Sequence, residues 1–125
     1  MTKSGEIDIS VATRYVEEQS DPGGERYVFA YTIEITNNLD FPSQLLNRHW
    51  IITNGSGKVE EVRGEGVVGQ QPRLLPGQGF RYTSGAVLET PVGAMQGEYE
   101  FTDDAGRRFE VAIPVFSLSV PSAVH

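Results

Sequence analysis

The run Gly64-Glu65-Gly66-Val67-Val68-Gly69 matches the G-x-G-x-x-G spacing of phosphate-binding loops. In a dinucleotide site such a run leaves a strand and opens a helix, whose first amides face the pyrophosphate. A strand is predicted ahead of the run. Pro72 and Pro76, however, fall within the next two turns and would break a helix. The pattern therefore argues against a nucleotide site of that architecture. A glycine-rich loop can also aim amides at an anion without a helix, and Arg63 and Arg73 flank this one with charge-assisted donors. Glu65, inside the motif, opposes an anion. The plainer expectation is a tight turn or bulge that needs glycine at Gly64, Gly66 and Gly69.

Other chemistry is sparse. The histidines are His49 and His125, and the acidic pairs are Glu17-Glu18, Glu60-Glu61 and Asp103-Asp104. No H-x-x-x-H or EF-hand spacing joins them. Strand neighbours point to opposite faces, so Glu60 and Glu61 cannot chelate one ion from a regular strand. Asp103-Asp104 sits in a predicted turn, where such residues bond their own backbone. No G-x-S-x-G run offers a serine nucleophile. The chain has no cysteine, which excludes disulfides, thiolate metal sites and cysteine nucleophiles. The expectation is no catalytic residue, no cofactor and no dedicated metal site, with a weakly held divalent cation or phosphate left open.

The 125 residues are one domain's worth of chain, with 38% hydrophobic and 22% charged residues and a formal net charge of -7. That charge disfavours nucleic acid and anionic membrane surfaces, and makes a basic partner electrostatically easier. Residues 1–8 hold no apolar stretch of a secretory signal, and no segment approaches the roughly 18 apolar residues of a membrane span. A cytoplasmic location is expected.

The elements that must position these residues are strands. Ile7, Ile9 and Val11 alternate with polar or small residues, and Tyr27, Phe29, Tyr31, Ile33 and Ile35 do so over a longer run. Leu45 to Thr53 follows, in which Leu46, Trp50 and Ile52 share one parity and Leu45, His49 and Ile51 the other. Asn54-Gly55-Ser56-Gly57 predicts a hairpin, with positive φ at Asn-Gly and a return along Lys58–Arg63. Phe80 to Ser84 is a short strand, Glu89 to Gly97 reads as irregular, and Gly97, Tyr99 and Phe101 begin another strand. Asp103-Asp104-Ala105-Gly106 turns the chain into a last strand presenting Phe109, Val111, Ile113 and Val115. Pro114 lacks an N–H, which places that strand at a sheet edge. Trp50 is expected in the core. Seven to eight short strands with regular turns predict an all-β antiparallel sandwich. It would be a single domain over 1–125, with a core near 7–118 and short flexible termini. The stretches Gly64–Gly79 and Gly85–Gln96 read as long loops, the expected recognition surface. Gln70, Gln71, Arg73 and Tyr82 are candidate contacts there, beside Arg63.

Several segments in order resemble the ApaG family. They are Arg48-His49-Trp50-Ile51-Ile52, Glu61 through Gly69, Tyr82-Thr83-Ser84-Gly85, Gly97-Glu98-Tyr99 and the tail from Phe109 to Leu118. The similarity runs from about Ile7 to Leu118. It implies an immunoglobulin-like or fibronectin-type-III-like sandwich and a bacterial cytoplasmic protein associated with cobalt and magnesium tolerance. It also implies a partner-recognition role, since similar domains are attached to F-box proteins. The family's G-x-G-x-x-G run falls on Gly64, Gly66 and Gly69, and no catalytic residue transfers. Residues and resemblance together predict a non-catalytic protein-binding module. The alternative is a phosphate or nucleotide sensor using the loop 64–69.

Overall fold

A computed structural model describes residues 5–121; the ends expected to be flexible, and His125, lie outside the described residues. Eight strands form in order: β1 (Ile7–Tyr15), β2 (Tyr27–Asn37), β3 (Ser43–Asn54), β4 (Val59–Glu65), β5 (Arg73–Leu74), β6 (Gly79–Leu88), β7 (Val92–Asp103) and β8 (Arg108–Ser119). Two single 3-10 turns sit between β1 and β2, and no α-helix occurs among the described residues. No helix is long and apolar enough to cross a membrane.

The strands make two antiparallel sheets. One has the order β1-β2-β6; the other has β4-β3-β7-β8, with β5 paired to the start of β3. This is the expected antiparallel sandwich, and β8 with Pro114 does lie at an edge. Phe29, Tyr31, Ile33 and Ile35 of β2 face Leu45, Trp50, Tyr99 and Phe101 of the second sheet, all buried. Each large apolar side chain so buried contributes roughly 1.5–3 kcal/mol. Trp50 is a core residue, packed edge-on against Tyr31, Tyr99 and Phe116 at 5.5 to 6.3 Å between ring centres.

Strict alternation fails at two bulges. On β3, Leu45 pairs with Phe101 and Asn47 with Glu100, so Leu46 is an extra residue. The parity reading put Leu45 with His49; the bulge instead puts Leu45 and Trp50 inside together. On β8 the register shifts between Ile113 and Phe116, beside Pro114. Val115, expected on the core face, is 65% exposed, while Leu118 is buried. A one-residue offset moves every later side chain to the other face.

Three further expectations change. The segments 85–88 and 92–97 belong to β6 and β7, leaving only Glu89-Thr90-Pro91 as a connection, so the expected loop Gly85–Gln96 does not exist. The expected loop Gly64–Gly79 is interrupted but not abolished: β4 runs to Glu65, β5 takes Arg73–Leu74 and β6 starts at Gly79, leaving 66–72 and 75–78 as connections. In the β3–β4 hairpin the positive φ falls on Gly57 and not on Asn54-Gly55. Asn54 Oδ1 instead accepts the amides of Ser56 and Lys58. Asp103 does the same for Ala105 and Arg107, with Gly106 taking the left-handed position.

Gly97 of β7 lies so close to β3 that a Cβ there would sit 1.9 Å from the His49 carbonyl oxygen. Gly97→Ala should therefore lower stability by about 3 kcal/mol. Gly85→Ala, whose Cβ would lie an ordinary 3.5 Å from the Phe29 carbonyl, should shift it by under about 1 kcal/mol. Urea denaturation midpoints at constant slope check both.

Candidate functional site

The outward face of the β4-β3-β7-β8 sheet carries the densest array of polar side chains. In register across it, Arg63 of β4, His49 of β3, Glu98 of β7 and Ala112 of β8 form one row. Glu65, Asn47, Glu100 and Glu110 form the next. The His49 ring is held from both edges: Nδ1 lies 2.8 Å from Glu98 Oε1 and Nε2 lies 2.6 Å from Glu61 Oε1. A carboxylate only accepts, so two such contacts require both ring nitrogens to carry hydrogen. In its protonated form His49 donates to both carboxylates. Glu98 first, and then Glu61, raise its pKa above the ordinary 6.5, against desolvation and the nearby Arg63 charge. Glu61 is lowered in turn, chiefly by its hydrogen bond to His49. Arg63 Nη2 donates to Glu61 at 3.0 Å, and Asn47 Nδ2 and Arg108 Nη1 converge on Glu100 at 2.8 and 3.3 Å. Of these groups, Asn47, His49, Arg63, Glu98 and Glu100 border a shallow groove of about 410 Å³.

Both His49 nitrogens are occupied by carboxylates, so neither is placed to activate a hydroxyl. The ring also separates Glu61 from Glu98, which keeps their oxygens from converging on an ion. Among the described residues no group of three or more His, Asp or Glu is arranged to hold a metal. The other acidic pairs have local duties. Glu18 pairs with Arg14 at 3.6 Å, Asp103 binds its own turn, and Asp104 holds Arg73 through Nε at 3.1 Å and Nη2 at 2.5 Å.

The glycine motif folds without a helix. Gly66 donates to the Leu46 carbonyl, and Val67 and Gln70 exchange amide-to-carbonyl bonds of 2.8 and 2.9 Å. This closes a two-residue hairpin with positive φ at Val68 and Gly69, 44° and 78°. Three of the loop's amides are thereby already donated to carbonyls. Gly64 leaves room for Arg48: a Cβ there would come within 2.8 Å of three guanidinium atoms. Arg48 Nη1 donates to the carbonyls of Glu65 and Gly66 at 2.8 and 3.0 Å.

The predicted contact residues do not form one surface. Arg63 lies beside His49, whereas Arg73 lies opposite Gln44 at the far end of β3, held by Asp104. Gln71 is exposed, yet its side chain donates to the Leu46 carbonyl and its own carbonyl accepts from Gln44. Gln70 is exposed beside the hairpin tip. Tyr82 is not a surface contact. It is 7% exposed, its hydroxyl is hydrogen-bonded to that of Tyr99, and burial pushes its pKa up to about 12. Sequence reasoning singled out neither Arg48 nor Glu98 as a site residue, and weighed Glu61 only with Glu60 as a chelating pair. The hairpin register alone pairs His49 with Arg63; Glu98 enters only through the long-range β3–β7 pairing.

A family model described as the ApaG domain matches residues 17–103. The chain belongs to the ApaG family. Relatives named Protein ApaG include one from Pseudomonas putida, 57% identical over 120 residues that cover 96% of this chain and 95% of the relative. Another, from Sodalis glossinidius, is 54% identical over the full length of both chains. A crystal structure of a putative ApaA protein from Bordetella pertussis superposes with a TM-score of 0.91 at 53% identity, covering 97% of this chain and 98% of that one. The names of these ApaG relatives state no reaction.

Raising an imidazole pKa stabilises the fold while the ring is charged. The His49 contribution is therefore complete below pH 6.5 and is lost as pH rises through the raised folded value. The lowered Glu61 acts oppositely: its contribution is present above pH 4.5 and lost on acidification. The stability difference between the wild type and His49→Gln should thus be largest between these pH values and shrink on either side. In NMR titration, the His49 midpoint should fall in Glu98→Gln.

Proposed function

We propose that this chain is a non-catalytic cytoplasmic binding module whose outward β4-β3-β7-β8 face docks a basic segment of a partner protein. The observation that carries this reading is the charge pattern of that face. Glu61, Glu65, Glu98, Glu100 and Glu110 outnumber Arg63, Arg108 and the His49 imidazolium, in fixed register on adjacent strands. A rigid sheet presenting ordered carboxylates favours complementary positive charge and speeds its encounter. The neutralised His49 centre leaves Glu65 and Glu110 as the outlying acids. The link to Co2+ and Mg2+ homeostasis that the family resemblance implies would then run through the partner, since no donor set on this face converges on an ion.

The test is crosslinking and affinity capture, followed by measurement of the dissociation constant with the purified partner. Capture by the wild type should be saturable and should weaken steeply with salt. Glu65→Lys combined with Glu110→Lys leaves the hydrogen bonds around His49 intact and should weaken binding at least about tenfold. Arg73→Ala, at the far end of β3, should leave it unchanged. A partner held equally by the charge-reversed face, or no saturable partner at all, would refute the reading.

A further inference from the structure

A second site lies on the inner side of the β4-β3-β7-β8 sheet, at Arg48, a residue that also borders the groove of the docking face. Among the described lysines and arginines, Arg48 alone is half-buried, the others being exposed. It is also without an ion pair among the described residues, whereas Arg14, Arg63, Arg73, Arg107 and Arg108 each have one. A partly buried cation without a counter-ion is costly unless something else solvates it. Two carbonyls do part of this, and both are taken by Nη1. They fix the guanidinium plane against Gly64. The remaining donors, on Nε and Nη2, have no acceptor among the described residues.

Arg48 lines a cleft of about 210 Å³ between the two sheets, beside the Val67–Gln70 hairpin and below the free edge strand β6. It is the single charged residue on that wall; no carboxylate lines it. The hydroxyls of Tyr31 and Ser84 also line the cleft and have no hydrogen-bond partner among the described residues, and the Trp50 indole lies next to them. Nε and Nη2 of a guanidinium form a parallel fork that matches two oxygens of one anion.

We propose that this cleft binds the oxyanion of a small ligand, a phosphate or a carboxylate, with Arg48 as the bidentate cation and Ser84 and Tyr31 as hydroxyl donors. The cleft is smaller than a typical pocket for a whole organic ligand, so it takes an anionic head group, any remaining body extending past β6. The site differs from a cradle built on the glycine loop's amides, because Gly66, Val67 and Gln70 have spent theirs. It also does not involve Arg63 or Arg73, the cations that flank the motif in sequence.

Trp50 is the only tryptophan in the chain, so its fluorescence reports on this cleft. The purified protein is titrated with sodium phosphate, pyrophosphate and acetate, each against sodium chloride at equal ionic strength. A saturable change with phosphate or acetate and none with chloride is expected, and the tighter of the two identifies the head group. Arg48→Lys keeps the charge but removes the fork, and should weaken the response at least about tenfold; Arg63→Gln should not alter it. Because Arg48 also braces the hairpin, the wild type supplies a fold-independent readout. In its NMR spectra the Arg48 Nε–H and the Val68 and Gly69 amides should shift together with the same midpoint. No saturable response to any oxyanion, an undiminished response in Arg48→Lys, or shifts confined to other residues would overturn the site.

Discussion

The extra residue at Leu46 governs both faces of the central strand. Side chains of a strand alternate with a period of two, so one inserted residue exchanges inside and outside for everything that follows. With Leu46 unpaired, Arg48 and Trp50 turn into the sandwich while Asn47 and His49 turn out. Without it, an imidazole flanked by two glutamates would face the core and the tryptophan would face water. The bulge is itself held from the side: the Leu46 carbonyl accepts the Gly66 amide and the Gln71 side chain, and the Leu45 amide reaches the Pro72 carbonyl. The glycine motif thus has a mechanical role, since it is the clamp that keeps β3 in its offset register.

The same strand therefore supplies two unlike electrostatic environments separated by one sheet. Outside, charges are paired, solvated and spread along adjacent strands. Exposed pairs of this kind add little stability, but hydrogen bonding in register fixes their positions. Inside, Arg48 stands among aromatic rings and hydroxyls with only carbonyls for company. Its effective field is stronger there because water is scarcer. Of the two fully buried polar residues among those described, the Ser43 hydroxyl has no hydrogen-bond partner, whereas Asn37 is satisfied. Asn37 is fully buried, yet its side chain donates to the carbonyls of Phe41 and Leu74 and accepts the Leu39 amide. That knot ties the β2–β3 connection to β5 and anchors the strand from which the site is built.

What could be read before folding follows from locality. The alternation in β1 and β2, the turns at Asn54–Gly57 and Asp103–Gly106, the edge position forced by Pro114 and the absence of a helix after Gly69 all depend on residues within a few positions of one another. The family, too, was visible in ordered segments from Arg48 to Leu118. The β3–β4 hairpin brings Arg63 beside His49 by its turn alone. Reading parity through Leu46 and through Pro114 failed because a bulge leaves no local mark when the flanking residues are themselves apolar.

The pairing of β3 with β7, residues roughly fifty positions apart in sequence, belongs to tertiary structure. It alone brings Glu98 to His49, raises the pKa of that imidazole, and requires glycine at Gly97. The inter-sheet packing likewise converts Arg48, an unremarkable polar residue in the primary pattern, into the charged wall of a cleft, and takes Tyr82 off the surface. Sequence by itself determined most of the strands, the places of their turns and the sandwich, because those are set by side-chain alternation and short-range backbone geometry. Which charges meet, and which face water, waited on the register between distant strands, because that register is set by the two bulges and the shared core.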